Sequence, residues 1–328
     1  MPIPVPDYEW RQIAAKPDLD SRLPSLAEVY HGPDDFRCNQ PNDHTIFRAA
    51  DGSWHLWACV RRTKVGRLLV HWSADEFSQS PWRLCDDVIR CDRNAGESVV
   101  VWMGEEFLQS PFVVFEDGRY YMFYGGYDTG VDPDGNPTTD YSLQEKQTCL
   151  MTSPDGLSWT RHKDENGMSR VFVGPGAVRD QCLMKSGDTW YCYYAGHHDR
   201  DRSTSGIYVR TSKDLLDWSE YKIAQFDTNK GAKNYNPESP FVMERGGVFY
   251  MFRTHGRKGG TYVFRSDDPL DFGNGDLTGR HLCRLPIIAP EIVVDRNGDE
   301  YISTIRVISQ AYQATGDYGT WLCRLTWS

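Results

Sequence analysis

Four carboxylates and one amide recur at one place in an internal repeat of this 328-residue chain: Asp43, Gln109, Asp180, Glu238 and Glu291. Each stands just ahead of or within a short apolar stretch that runs into a Gly turn and then an aromatic-rich stretch. Their spacings are 66, 71, 58 and 53 residues, and such self-similarity is the mark of a repeat architecture. Carboxyls gathered in one place suit acid–base chemistry when their environments split their pKa values, one holding a proton to give and another free to take one. Crowding of like charge and burial raise one carboxyl, and nearby arginines keep another ionised. The competing reading is that Asp, Glu and Asn simply open strands as solvated turn residues, and it weighs most heavily on Glu291.

The elements that must position these residues are legible from the five copies: 42–57, 109–124, 179–194, 238–252 and 291–303. The second and fourth are near-duplicates, Gln109-Ser-Pro-Phe-Val against Glu238-Ser-Pro-Phe-Val. Within each copy two apolar stretches flank a Gly turn, as a hairpin requires where φ is positive. A third stretch ending in Ser, Asp and often Trp follows four of the hairpins, as in Met151 to Trp159 and Val209 to Trp218, and a fourth can follow the Trp. Helical periodicity is absent. Four-stranded antiparallel units repeated radially are propeller blades. The expectation is an all-β chain, a single five-bladed β-propeller over residues 1–328, in which the segment around Trp10 completes the last blade, closes the ring and removes an exposed edge. A β-sandwich or a pair of β domains is the alternative, and the regular period argues against it.

In a propeller the first strand of each blade lies nearest the axis, so the five leading residues are expected around one mouth of the channel. The second strand returns to the same mouth and brings Arg61, Arg62, Tyr127, Asp128, His197, His198, Arg253, His255 and Arg306 to its rim. Arg179 adjoins Asp180, and Trp102, just before the second blade, is either an exposed aromatic that stacks on a ligand ring or part of the core. The loop 128–140 is dense in oxygen ligands but lacks the spacing of an EF-hand. It is read as a long rim loop, with structural calcium as a lesser possibility. Adjacent His197 and His198 point to opposite sides of a strand and do not suit a shared metal, although either can bond a hydroxyl, as can His255. The Ser-Asp-Gly-Trp segments are read as folding turns.

Asn42-Asp43 followed by Thr-Ile-Phe-Arg, Arg179-Asp180 and Glu238-Ser-Pro240 resemble, in order and spacing, the three acidic motifs of the five-bladed propeller glycosidases of the furanosidase clan, the α-L-arabinofuranosidase/β-xylosidase and invertase-like families. The resemblance covers most of the chain, though each motif is short. It implies Asp43 as general base or nucleophile, Asp180 as the carboxylate that orients substrate and tunes the acid, and Glu238 as general acid. It implies a terminal furanose or pentose unit as substrate. Gln109, Trp102, Asp128, Arg179, His197, Arg253, His255, Glu291 and Arg306 are the expected binding residues, with no metal in the reaction. Two positions depart from the pattern: His44 and Gln181 stand where proline is usual. A phosphate-using glycoside phosphorylase of a related propeller family is the alternative, as is a carbohydrate-binding propeller without catalysis.

Composition sets the bounds. A net charge of −10 lacks the basic stripe of a nucleic-acid partner. No apolar run approaches the ~18 residues of a membrane span. The first residues, Met1-Pro-Ile-Pro-Val-Pro, do not form a signal peptide, so a cytoplasmic location is expected, or a secreted or periplasmic one if a leader has been removed. The nine cysteines include no CxxC pair, which argues for reduced buried thiols and against a zinc site. Cys182 and Cys192 can face each other across a hairpin.

Overall fold

The structure is a computed structural model that describes residues 2–19, 39–97, 106–126, 134, 136, 138, 146–197, 205–226, 237–255, 259–273, 280–306 and 318–328. Among the described residues the elements are strands, apart from one short 3-10 turn at Arg93–Ala95 and single helical residues at Leu19 and Gly259. The N-terminal strands are β1 (Pro4–Pro6) and β2 (Arg11–Ala15). A first antiparallel group holds β3 (Gln40–Arg48), β4 (Trp54–Thr63), β5 (Gly66–Ala74) and β6 (Arg83–Ile89). A second holds β7 (Glu106–Glu116), β8 (Arg119–Gly126), β9 (Gln147–Ser153), β10 (Thr160–Arg161) and β11 (Arg170–Val173). A short parallel contact between β5 and β7 joins these two. The third is β12 (Arg179–Ser186), β13 (Thr189–Gly196), β14 (Gly206–Ser212) and β15 (Lys222–Phe226). The fourth is β16 (Pro237–Arg245), β17 (Val248–His255), β18 (Thr261–Ser266) and β19 (His281–Leu285). The last is β20 (Ile292–Val294), β21 (Glu300–Thr304) and β22 (Gly319–Trp327), and both N-terminal strands pair with β22.

Local chemistry makes the hairpins. Asp117-Gly118 and Gly246-Gly247 each place two successive residues at positive φ, the backbone a tight two-residue turn between twisted strands demands. The Ser-Asp turns after the third strands are self-contained: Ser153 Oγ accepts the Gly156 amide at 2.8 Å, and Asp155 Oδ1 accepts those of Leu157 and Ser158. Ser212 and Asp214 repeat the arrangement.

Packing then joins the groups. A strand sandwiched between two neighbouring sheets buries both faces, so consecutive side chains enter different cores. Tyr193 and Tyr194 are both fully buried; Tyr194 packs with Phe112 and Phe123 of the second group, Tyr193 with Val242 and Met251 of the fourth. Trp57 and Leu69 of the first group meet Tyr120 and Met122 of the second. Phe252 and Val263 of the fourth meet Ile302 and Leu325 of the last. The last group in turn meets the first, because Ile13, Val293 and Leu322 share a core with Leu56, Val70 and Trp72. Burying one such large side chain contributes about 1.5–3 kcal/mol, which is why aromatics fill the second strands. All cysteines among the described residues are free thiols, Cys182 and Cys192 included. No helix of the described residues is long and apolar enough to cross a membrane.

Candidate active site

The inner strands share a bulge. Two residues of each first strand oppose one residue of the second: Asn42 and Asp43 between the pairs Pro41–Val60 and His44–Ala58, Ser110 and Pro111, Asp180 and Gln181, Ser239 and Pro240. The hydrogen bonds of Ile288 and Glu291 to the strand opposite give Ala289 and Pro290 the same place in the last group. The first bulge residue takes a left-handed backbone in Ser110, Asp180, Ser239 and Ala289, with φ from 47° to 60°. L-residues other than Gly rarely adopt it, and such strain concentrates at functional sites. Proline suits the second position, which makes no ladder bond.

This register corrects the expectation that the five leading residues are equivalent. Asp180 is first in its bulge and Asp43 second, whereas Gln109 and Glu238 precede theirs and Glu291 follows. The side chains that meet at the inner edge therefore include two serines that repeat alignment passes over. Ser110 Oγ lies 3.1 Å from Asp43 Oδ2 and 2.9 Å from Asp180 Oδ1. The Ser239 amide donates to Asp180 Oδ2 at 3.0 Å and its hydroxyl to Asp43 Oδ1 at 3.4 Å. Asn42 Nδ2 donates to Asp43 Oδ2 at 2.8 Å. Arg179 completes the chain, 3.4 Å from Asp180 and 3.8 Å from Glu238. Asp43, Asp180 and Glu238, from three different sheets, thus belong to one connected cluster.

Ser110 has a single hydroxyl hydrogen and two carboxylate neighbours. Both contacts are hydrogen bonds only when one carboxyl carries a proton, so that Asp180 donates to Ser110 and Ser110 to Asp43. The electrostatics agree: burial first, and then the Asp43 charge, push the Asp180 carboxyl up to about 6 against the pull of Arg179. Replacing Ser110 by Ala removes that link. A hydrogen bond to a charged group contributes about 1.5–3 kcal/mol, so kcat/KM is expected to fall about 10–100-fold. A pH–rate profile of Ser110→Ala identical to wild type would show that the serine does not couple the two acids.

The remaining expected residues divide. Glu291 lines the inner-edge cavity, accepts the Ile46 amide at 3.2 Å and is raised well above the usual carboxylate range by burial. His44 binds Ser303 at 2.7 Å and is pulled down to about 3 by burial; Gln181 donates to Thr148 at 2.9 Å. Both replacements of proline thus tie neighbouring sheets together. Gln109 is buried beneath the surface, its amide oxygen taking the Arg67 guanidinium, which lies on the Phe107 ring. That makes it an internal strut rather than a sugar contact. His197 is buried and accepts the Ala177 amide at 3.2 Å, and a side chain at Gly176 would collide with its ring. Arg253 is buried against Phe264 and donates to Gln225 and, at 3.5 Å, to His255. Arg61 donates to Gln40 at 2.9 Å, and Arg306 covers the Tyr318 ring. Trp102, Asp128, Tyr127, His198 and most of the 128–140 loop lie outside the described residues. Ser110 and Ser239 had a signal in the sequence: the shared Ser-Pro of the two near-duplicate copies.

No family model matches the chain. A stretch of 155 residues is 23% identical to the 1,2-beta-oligomannan phosphorylase of Thermoanaerobacter sp. (strain X514), covering 47% of this chain and 48% of that protein. The match thus spans about half the length of that relative. Among solved structures, a thermostable family-43 glycoside hydrolase superposes with TM-score 0.60 at 18% identity over 88% of this chain and 90% of its own. The xylan beta-1,4-xylosidase of Bacillus halodurans C-125 gives 0.59 at 14% over 90% and 54%. The alpha-L-arabinofuranosidase of Lactobacillus brevis gives 0.55 at 14% over 89% and 92%. At these identities the likeness establishes the fold, that of the furanosidase-clan enzymes which the three acidic motifs resemble.

Proposed function

We propose that this chain is a glycoside hydrolase acting on a terminal furanose or pentose unit, built as a closed five-bladed propeller. The cyclic order of the hydrophobic cores, with the last group packed on the first, supports the closed ring. The observation that carries the activity is the cluster in which Ser110 and Arg179 tie together Asp43, Asp180 and Glu238 at three strand bulges. In this reading Asp43 activates water or attacks the anomeric carbon, and Glu238 protonates the leaving oxygen. Asp180, its carboxyl raised to about 6 by burial and the Asp43 charge, orients the sugar and is linked to Asp43 through Ser110. A cavity of about 30 Å³, room for about one water, is lined by Asp43, Ser110, Asp180, Ser239 and Glu291.

A panel of nitrophenyl furanosides and pyranosides, assayed with and without inorganic phosphate, tests the proposal. Release of free sugar at a phosphate-independent rate is the expected result; no turnover of any glycoside would refute it. The second reading, phosphorolysis, is favoured by the local similarity to an oligomannan phosphorylase. It predicts a sugar 1-phosphate product and turnover that requires phosphate. Phosphate arrives as an anion and needs no base, so in that case Asp43→Asn would retain activity that hydrolysis loses.

A further inference from the structure

A second cluster of reactive side chains lies outward on the first sheet, away from the inner-edge carboxylates. Val70 pairs with Val88 and Trp72 with Leu84, so His71 alone faces the three residues 85–87. This irregularity turns Cys85 and Asp87 to the same imidazole. One donor atom each from His71, Cys85 and Asp87 lies within 4.8 Å of the others. His71 Nδ1 is 2.8 and 2.9 Å from the two Asp87 oxygens, and Cys85 Sγ is 3.2 Å from Ser73 Oγ.

Behind His71 the hydrogen bonds have a forced direction. Ser53 donates its only hydroxyl hydrogen to Asp51 Oδ1 at 2.5 Å. Its oxygen must then accept from His55 Nε2, 2.7 Å away. His55 Nδ1 is left as an acceptor, so His71 Nε2, at 2.7 Å, is the donor. The ring is further clamped by Trp57, stacked at 4.4 Å and 9°. The other nitrogen, Nδ1, thereby faces the thiol and the carboxylate. Metal-bound histidines are held in this way, with the second ring N–H donated to a neighbour that fixes tautomer and orientation. The inner side is buried and the outer side open: the His71 side chain is 8% exposed and that of Asp87 51%.

We propose that His71 Nδ1, Cys85 Sγ and the Asp87 carboxylate bind one divalent cation of the zinc type, with solvent in the remaining position. A sulfur, nitrogen and oxygen set selects such a borderline ion over calcium or magnesium. Bonds of about 2.0–2.3 Å need the donors only slightly rearranged, and exposed Asp87 has room to move. Binding releases to solvent the protons that the metal replaces on Nδ1 and on the thiol. Close pairs of cysteines are absent from the sequence, but here a strand irregularity brings the ligands together instead.

Cobalt(II) titration of the full chain after chelator treatment tests this. The expected result is one equivalent bound with a thiolate-to-cobalt charge-transfer band. Cys85→Ser should abolish the band, and Asp87→Asn, at an exposed side chain, should weaken binding at least about tenfold. His55→Gln should weaken it about 10–100-fold while keeping the band. Zinc should also protect Cys85 from iodoacetamide in the unmutated protein. Absence of a charge-transfer band, its persistence in Cys85→Ser, or alkylation unaffected by zinc would overturn the proposal.

Discussion

Asp43→Asn and Glu238→Gln are each expected to lower kcat/KM by about 10²–10⁴-fold, the usual contribution of a general acid or base, while the folded state persists. Both substitutions preserve shape. An amide at position 43 still accepts from Ser110 and Asn42 and can donate to Ser239, the three groups now around the carboxylate. A glutamine at 238 still offers an oxygen to Arg179. What is lost is the capacity to take or to give a proton. The two variants separate with leaving group: a dinitrophenolate departs without protonation, so Glu238→Gln recovers most of its rate on that substrate and Asp43→Asn does not. Steady-state kinetics on the two aglycones, with thermal unfolding as the control for folding, checks this. Rates within about twofold of wild type in either variant would remove that residue from the chemistry.

Asp180→Asn is expected to cost activity and to increase stability, by an amount that grows between about pH 4 and about pH 6. In the unfolded chain an aspartate titrates near 3.9; in the folded protein burial and the Asp43 charge bring Asp180 up to about 6. The folded state therefore holds this proton more tightly than the unfolded state does. The stability that the protonated acid provides is complete below about pH 4 and is lost as pH rises through about 6, a loss on the order of 3 kcal/mol. Asparagine never ionises and keeps the bonds to Ser110 and the Ser239 amide. It should match wild type at pH 4 and exceed it at pH 8 by up to that amount. Denaturant midpoints at pH 4, 6 and 8 measure the difference. A difference that does not grow with pH would show that Asp180 carries no buried-acid penalty. Sites held in such unfavourable states are where activity is maintained at the expense of stability.

Much of this molecule was legible in its sequence. The hairpins announce themselves in Asp117-Gly118 and Gly246-Gly247, and the third-strand turns in Ser153-Pro-Asp155 and Ser212-Lys-Asp214. These are contacts between residues close in the chain, and local residue type decides them. The three acids Asp43, Asp180 and Glu238 were also visible, because each opens a copy of the repeat. Gln109 was misleading. It occupies the place of Glu238 in a near-duplicate copy, yet it is buried on Arg67, since its surroundings come from β5 and not from its own hairpin. His197 and Arg253 likewise end second strands as expected of rim residues, but are drawn inward by Ala177 and Gln225.

The strand repeat, the turns and the acids at the strand starts follow from the chain's local residue pattern, because they depend on alternation and backbone preference over a few residues. The tertiary structure decided the rest. A bulge that sets two residues against one shifts each acid by a single position, and that shift puts Ser110 and Ser239 between Asp43 and Asp180. The proton affinity of Asp180 depends on desolvation and on a charge 137 residues away in the chain. Burial and charge act through space, and only the packed sheets bring those groups within reach of one another.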